Sequence, residues 1–213
     1  ALDAGKIGRA QCRDSVSIPA VAGTVETKTT FTPTLTVYDF EWKRAVLAGT
    51  AAEGARFVIP EILEGLRDPK GFFGTLSGDD PKIRALSGIF EEGLRRVGEA
   101  ARAGVPLVAG SDAGNPVTFH GPALIHELEL LARAGVSLPE VLKAATSRPA
   151  DRLGEKGLGR IEEGAVADLV VLSADPLADV RAYREVQGVF VGGRKIALDK
   201  AFNTPSGPWR PDR

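Results

Sequence analysis

The spacing of apolar residues changes several times along the chain, and each spacing predicts a different element. From residue 39 to about residue 104, apolar positions recur every three or four residues, which is typical of amphipathic helices. Two shorter segments, the β-branched Thr29–Val37 and the apolar Val105–Ala109, predict strands. A strand that is apolar on successive residues is typical of a parallel sheet covered on both faces.

Two further helices are predicted beyond residue 121. Pro122–Ala134 places four apolar residues on one buried stripe, namely Leu124, Ile125, Leu128 and Leu131. Leu138–Thr146 carries Pro139 and Glu140 in its first turn, as the start of a helix prefers. The order of strand, helical segment, strand and helices is β/α alternation.

The composition changes after residue 153. Gly154–Gly164 is rich in glycine and charge, Ala167–Leu172 predicts a short strand, and Val186–Ile196 predicts a hairpin that turns at Gly192 and Gly193. We therefore divide the chain into a β/α part (1–153), a small β module (154–202) and a tail (203–213).

Weaker patterns precede and interrupt the β/α part. Ala1–Gly5 predicts the end of a helix, Lys6–Cys12 a short strand, and Ile18–Glu26 a short helix that begins at a proline. Arg67–Pro81 is dense in glycine, proline and aspartate, which predicts a loop between helices.

Composition narrows the class of protein. The 213 residues are 43% hydrophobic and 26% charged with a net charge of −1, which is ordinary for a soluble globular protein and favours neither nucleic acid nor membrane as a partner. Cys12 is the single cysteine, which excludes an internal disulfide framework. Because the chain contains no methionine, we expect a fragment or a processed product, with a complete small protein as the alternative. The compartment is left open by the sequence, with the cytoplasm slightly favoured.

Asp112 is the main candidate for chemistry, since it directly follows the apolar run Val105–Ala109 in the loop Gly-Ser-Asp-Ala-Gly. Acidic residues at the carboxyl ends of strands are where β/α barrels place catalytic groups. The alternative is a turn aspartate whose carboxylate accepts local backbone N–H groups. Ser111 lacks the G-x-S-x-G elbow of a nucleophilic serine.

Three other residues are weighed as site candidates. His120 and His126 lie six positions apart, so they do not share a helix face and do not form a metal-binding pair. His120 is a candidate substrate contact or a structural loop residue, whereas His126 is predicted to be structural. Tyr38 follows the Thr29–Val37 strand, so its hydroxyl is either a substrate contact or part of an ordinary strand-end aromatic.

Taken together, four segments resemble the carboxyl-terminal half of the amidohydrolase superfamily, nearest to its imidazolonepropionase-like and prolidase-like metal-dependent branch. They are VPLVAGSDAG, FHGPALIHELELLARAGVSLPEVLKAATSRPADRLG, LGRIEEGAVADLVVLSADPLADV and VGGRKI. The resemblance implies the carboxyl-terminal part of a distorted TIM-like (β/α)8 barrel plus a small β-sandwich module. Lys6–Cys12, Thr29–Val37 and the segment before Asp112 would then be strands six to eight.

The resemblance also implies a divalent metal site, expected to hold one or two zinc ions, with Asp112 as both ligand and acid/base. Gln11 falls where the family's sixth strand ends in a metal-binding histidine, and an amide oxygen is a poorer zinc ligand than imidazole. Either the register differs by one residue, Cys12 replaces the histidine, or this site is impaired.

The function implied is hydrolysis of a C–N bond in a cyclic amide, amidine or dipeptide-like small molecule, for which His120 and Tyr38 are the candidate substrate contacts. The alternative is a non-catalytic fragment or degenerate homologue without a competent metal site. The expected partners are the substrate and either an oligomeric copy or an amino-terminal half.

Overall fold

The computed structural model describes residues 29–49, 58, 60–68, 70–71 and 81–197, which form an α/β fold. Within these ranges the α-helices are α1 (Phe40–Ala48), α2 (Pro60–Arg67), α3 (Pro81–Arg102), α4 (Pro122–Arg133), α5 (Leu138–Ala145) and α6 (Ser147–Leu153). The strands are β1 (Leu169–Leu172), β2 (Val186–Val191) and β3 (Arg194–Lys195), and 3-10 helices cover Leu35–Tyr38 and Val180–Arg184.

The two segments predicted as strands of a parallel sheet do lie side by side and run in parallel. Phe31 and Leu107 form a parallel bridge, in which the Phe31 N–H donates to the Pro106 carbonyl (2.9 Å) and the Val108 N–H donates to the Phe31 carbonyl (3.0 Å). The pairing is confined to these few residues. It is enough to bring the segment before Asp112 beside the segment around Phe31.

The other edge of the segment before Asp112 is bonded to the α5–α6 region. The Ala109 N–H donates to the Ala144 carbonyl (2.9 Å), and Arg148 Nη1 donates to the Leu107 carbonyl (2.8 Å). Hydrogen bonds on both edges satisfy backbone groups that would otherwise be buried without partners. They also fix the position of the chain shortly before it reaches Asp112.

The prediction of a strand over Thr29–Val37 is wrong in its second half. Thr34 has φ of 50°, a left-handed conformation that ends the extended segment, and a 3-10 helix follows. The Leu35 and Thr36 N–H groups turn towards the buried carboxylate of Glu127 in α4. A side chain about 90 residues away therefore overrides the local β-branched pattern.

The main core lies between α3, α4, α5 and the paired extended segments. Its buried residues are Leu35, Phe90, Leu94, Val97, Leu107, Leu128, Leu130, Leu131, Val136, Val141 and Ala144. Gly98 permits close packing of α3 against the end of α4, since a Cβ at this position would lie 2.2 Å from the Ala134 carbonyl oxygen.

The helices α4 and α5 begin where predicted and each ends one residue earlier, and the predicted buried stripe of α4 is confirmed in part. Leu124 is 37% exposed, whereas Leu128 and Leu131 are buried together with Glu127. The additional helix α6 begins immediately after Thr146, whose φ and ψ of −131° and −89° end α5.

The β module contains an antiparallel sheet in the order β1–β2–β3. The predicted hairpin is confirmed, with Gly192 and Gly193 at φ of 55° and 77° as a two-residue turn of this kind requires. The Asp168 carboxylate accepts the Gly192 N–H at 2.7 Å and so ties the turn to the residue before β1.

Several predictions lie outside the described residues. These are the elements proposed over 1–28, with Gln11 and Cys12 among them, most of the loop 67–81, and the tail 203–213. The division at residues 153 and 202 stays a prediction. None of the described helices is both long enough and apolar enough to cross a lipid bilayer.

Candidate active site

Asp112 lies at the carboxyl end of the extended segment that pairs with Phe31, as the sequence predicts. Its side chain is exposed, and its φ of 50° places it in the left-handed region. Non-glycine residues adopt this conformation infrequently, although aspartate tolerates it better than most. The backbone therefore turns sharply at Asp112 and leaves its carboxylate accessible.

Asn115 holds this carboxylate from within the same loop. Its Nδ2 donates to the Asp112 side-chain Oδ2 at 2.9 Å and to the Asp112 main-chain carbonyl at 3.0 Å. The Asn115 N–H also donates to that carbonyl, at 3.4 Å. The carboxylate of Asp112 thus accepts a hydrogen bond from a side-chain amide. The turn-aspartate alternative predicts hydrogen bonds from backbone N–H groups instead.

The rest of the loop is compact and conformationally strained. Val117 is buried with φ of 60°, an unusual conformation for a β-branched residue. The Gly114 N–H donates to the Thr118 carbonyl (3.1 Å), and the Thr118 N–H donates to the Asn115 carbonyl (2.9 Å). Strained conformations of this kind persist where surrounding contacts enforce them, and they concentrate at functional sites.

Gly110 allows the two parallel segments to approach closely just before Asp112. A Cβ at Gly110 would lie 2.7 Å from Cγ2 of Thr32, which is inside van der Waals contact. The methyl group of Thr32 therefore occupies the space that a side chain at residue 110 would need.

A second polar cluster surrounds His126 in α4. His126 Nε2 lies 2.9 Å from Oδ2 of Asp39, and its ring stacks on Trp42 at a centroid distance of 4.5 Å with 8° between the planes. Burial alone would lower the pKa of His126, but the hydrogen bond to Asp39 and the carboxylate of Glu129, whose Oε2 lies 3.5 Å from Nδ1, outweigh burial and raise it. Asp39 also caps α1 by accepting the Trp42 N–H. His126 is largely buried and hydrogen-bonded, as predicted for a structural residue.

Glu127 is a fully buried carboxylate with three hydrogen-bond donors around it. Its oxygens accept the N–H groups of Leu35 (3.0 Å) and Thr36 (2.8 Å), and Thr36 Oγ1 lies 2.8 Å from Oε2. Burial raises the pKa of Glu127, and the hydrogen bonds from Thr36 and Leu35 oppose that rise. Glu127 thus anchors the chain where it leaves the Phe31 segment.

The structure places the predicted site residues in different settings. His120 is exposed in the turn before α4 and shares the loop with Asp112, whose side-chain partner is Asn115. Tyr38 belongs to the first 3-10 helix and packs against the main core. Gln11 lies outside the described residues. The substrate roles of His120 and Tyr38 stay predictions.

Sequence reasoning missed Asn115 and Glu127. Glu127 lies four residues after Ala123 and three before Leu130, both of which are buried, so a wider stripe would have included it. Asn115 follows Asp112 by three residues in a glycine-containing loop, which is a spacing at which side chains bond to nearby backbone.

The described residues do not by themselves form a metal site. Within the described part of the chain, no three His, Cys, Asp or Glu side chains are close enough to bind one ion. Asp112 offers one carboxylate, and Asn115 already occupies one of its oxygens.

Comparison with known proteins decides the family. The model of the Amidohydrolase family matches residues 77–197, which cover Asp112, α4, α5 and the β module. The chain belongs to the amidohydrolase family. This family assignment makes the chain part of a family of hydrolases and confirms the resemblance seen in the sequence.

Two curated relatives cover the same region. Ochratoxinase of Aspergillus niger is 30% identical over 137 residues, which are 62% of this chain and 26% of ochratoxinase. An uncharacterised protein of Mycobacterium bovis is 33% identical over 116 residues, which are 54% of this chain and 28% of that protein. This chain therefore aligns with little more than a quarter of the length of either relative.

Solved amidohydrolase structures share the fold. A Xaa-Pro dipeptidase with bound methionine matches with a TM-score of 0.59 at 20% identity, over 84% of this chain and 37% of the dipeptidase. A prolidase complexed with N-methylphosphonate-L-proline matches with a TM-score of 0.54 at 25% identity, over 84% of this chain and 37% of the prolidase.

Proposed function

We propose that this amidohydrolase hydrolyses a C–N bond of a small amide and that Asp112 is its acid/base. The observation that carries the proposal is the accessible carboxylate at the carboxyl end of a paired β segment, held by Asn115 within a strained loop. This combination of position, exposure and orientation is what a proton-transfer group requires.

In the proposed reaction, the carboxylate of Asp112 transfers one proton from water to the leaving nitrogen. Asp112, ionised, accepts a proton from water as the oxygen of that water forms a bond to the amide carbon. It then delivers the proton to the nitrogen as the C–N bond breaks, which yields a carboxylic acid and an amine. General acid–base catalysis by a positioned carboxylate contributes about 10²- to 10⁴-fold to rate.

We also propose that Asp112 is one ligand of a divalent ion, which is expected to be zinc. Because no three His, Cys, Asp or Glu side chains of the described residues are grouped to hold an ion, the other ligands would have to come from residues outside the described ranges or from another chain. No step above depends on that ion.

The substrate class we propose is a dipeptide-like or N-acyl amide. The prolidase complexed with N-methylphosphonate-L-proline supports this class, and the match covers 37% of that prolidase. His120, exposed beside the same loop, and Tyr38 are proposed as substrate contacts at the rim. A second copy or another chain is proposed as the partner that completes the site.

A substrate panel tests the proposal. The purified protein, as expressed and with or without added Zn²⁺, is incubated with Xaa-Pro dipeptides, N-acyl amino acids, cyclic amides and carboxylic esters. Release of amine from at least one amide series, in preference to esters, supports the proposal. Absence of hydrolysis across the panel, with the protein folded and metal supplied, overturns it.

A further inference from the structure

The side chain of Asp112 is exposed, so packing against buried residues does not fix its conformation. Among the described residues, the side chain that bonds to it is Asn115, through a single Nδ2 group. A free aspartate on a loop samples several side-chain rotamers. The bond from Asn115 Nδ2 to Oδ2 therefore fixes the position of the carboxylate.

The two bonds act on different parts of Asp112. The bond to the main-chain carbonyl (3.0 Å) supports the left-handed backbone, and the bond to Oδ2 (2.9 Å) fixes the side-chain torsion. Asn115 is itself held, because its carbonyl accepts the Thr118 N–H at 2.9 Å and Thr118 is buried. The chain of contacts runs from the buried end of the loop to the exposed carboxylate.

We infer that Asn115 is the positioning residue for the acid/base Asp112 and leaves Oδ1 as the oxygen that exchanges the proton. The inference rests on the proposed function. An amide N–H is a donor only, so Oδ2 can keep this bond while Oδ1 is free to receive a proton from water and return it to the leaving nitrogen. Asn115 touches neither substrate nor water in this scheme and acts through Asp112.

The geometric half of the inference is tested without any activity. Three-bond NMR couplings report the χ1 rotamer of Asp112 in the wild-type protein and in Asn115→Ala. We expect one dominant rotamer in the wild type and averaged couplings in the variant, with the rest of the spectrum preserved. Equal averaging in both proteins, or a single rotamer in both, would overturn the positioning role whatever the enzyme does.

Kinetics test the catalytic half on the amide substrate identified by the panel. Asn115→Ala should lower kcat about 10- to 100-fold with KM within about threefold, since misplacement of a catalytic group by about 1 Å costs about 10²-fold. Asn115→Asp keeps the shape but replaces the donor with a second carboxylate. It should lower kcat at least as much as Asn115→Ala does, because a carboxylate cannot donate the bond to Oδ2 of Asp112.

The controls separate the two ideas. Gln187→Glu makes the same exchange of an amide for a carboxylate at an exposed residue of β2 and should leave kcat unchanged. Wild-type activity together with an Asn115→Ala variant of full kcat would overturn the role of Asn115 and leave the proposed function standing. Loss through KM alone would also overturn it, because that would make Asn115 a binding residue.

Discussion

The imidazole of His126 lies 2.9 Å from the carboxylate of Asp39, buried against the ring of Trp42 and 87 residues away in sequence. This pair joins the start of α1 to α4. Glu129 extends it to the second 3-10 helix, since both of its oxygens accept hydrogen bonds from Arg184 at 2.6 and 2.7 Å. Asp39, His126 and Glu129 together thus connect α1, α4 and the second 3-10 helix.

The pair makes stability depend on pH in a defined direction. The pKa of His126 is raised in the folded protein, so its contribution is complete below about pH 6.5 and is lost as pH rises through the raised value. The pKa of Asp39 is lowered, although its burial opposes this, so its contribution is lost only as pH falls below about 3.8. Stability from the pair is therefore greatest between these limits.

We expect His126→Gln to cost on the order of 1–3 kcal/mol at pH 6 and less at pH 9. Urea unfolding across this range measures the difference. His120→Gln, at the other histidine and on the surface, should change the free energy of unfolding at pH 6 by less than about 0.5 kcal/mol. A His126→Gln variant with the same pH dependence as the wild type would contradict the assignment.

Lys43 in α1 is a buried amine, 3% exposed, whose Nζ lies 5.5 Å from the centroid of the Phe40 ring. Burial lowers its pKa to about 8, while the charge of Asp39 opposes the change. Below pH 8 the folded protein keeps a buried charge, and between about pH 8 and 10.5 it sheds the proton and becomes more stable.

Lys43→Met should therefore stabilise the protein by about 1–3 kcal/mol at pH 7, with the gain shrinking as the pH rises from about 8 to 10.5. Lys143→Met is the matched control, because Lys143 is exposed and paired with Glu140, and it should change stability by less than about 1 kcal/mol. Equal effects at the two lysines in urea unfolding would show that Lys43 is not buried as a charge.

Glu127→Gln should destabilise the fold although it preserves shape. An amide presents one oxygen and one NH₂ group, so it leaves the Leu35 or the Thr36 N–H facing a donor. We expect a loss of about 1–3 kcal/mol in the free energy of unfolding. Glu91→Gln, at an exposed residue paired with Arg133, should cost less than about 1 kcal/mol, and a similar loss at both positions would refute the role of Glu127.

The close contact between Gly110 and Thr32 gives a direct test of the parallel pairing. Gly110→Ala should cost about 1–3 kcal/mol, because its Cβ would overlap Cγ2 of Thr32. Thr32→Ser removes that methyl group and should restore much of the loss in the double variant. Strictly additive effects of the two substitutions would place the segments farther apart than they are here.

The elements that could be predicted from sequence are those specified locally. The helices α4 and α5 follow from apolar spacing and from Pro139 in a first turn, and the β2–β3 hairpin follows from two adjacent glycines. The 3-10 helix at Leu35–Tyr38 could not be predicted, because it depends on Glu127, about 90 residues away.

The same distinction applies to the candidate site, in which only the locally specified features could be predicted from sequence. The position of Asp112 follows from an apolar run that ends in a glycine-flanked aspartate. The role of Asn115 depends on the left-handed backbone at Asp112 and on where one amide group points, and neither is visible in the residue pattern.

The central claim is that Asp112 is the acid/base of an amide hydrolase, and the most direct measurement is kcat of Asp112→Asn on the best amide of the panel. Asparagine keeps the shape and cannot accept the proton, so we expect kcat to fall by at least about 10²-fold while the unfolding transition stays within about 1 kcal/mol of the wild type. An Asp112→Asn variant with near wild-type kcat would contradict the claim.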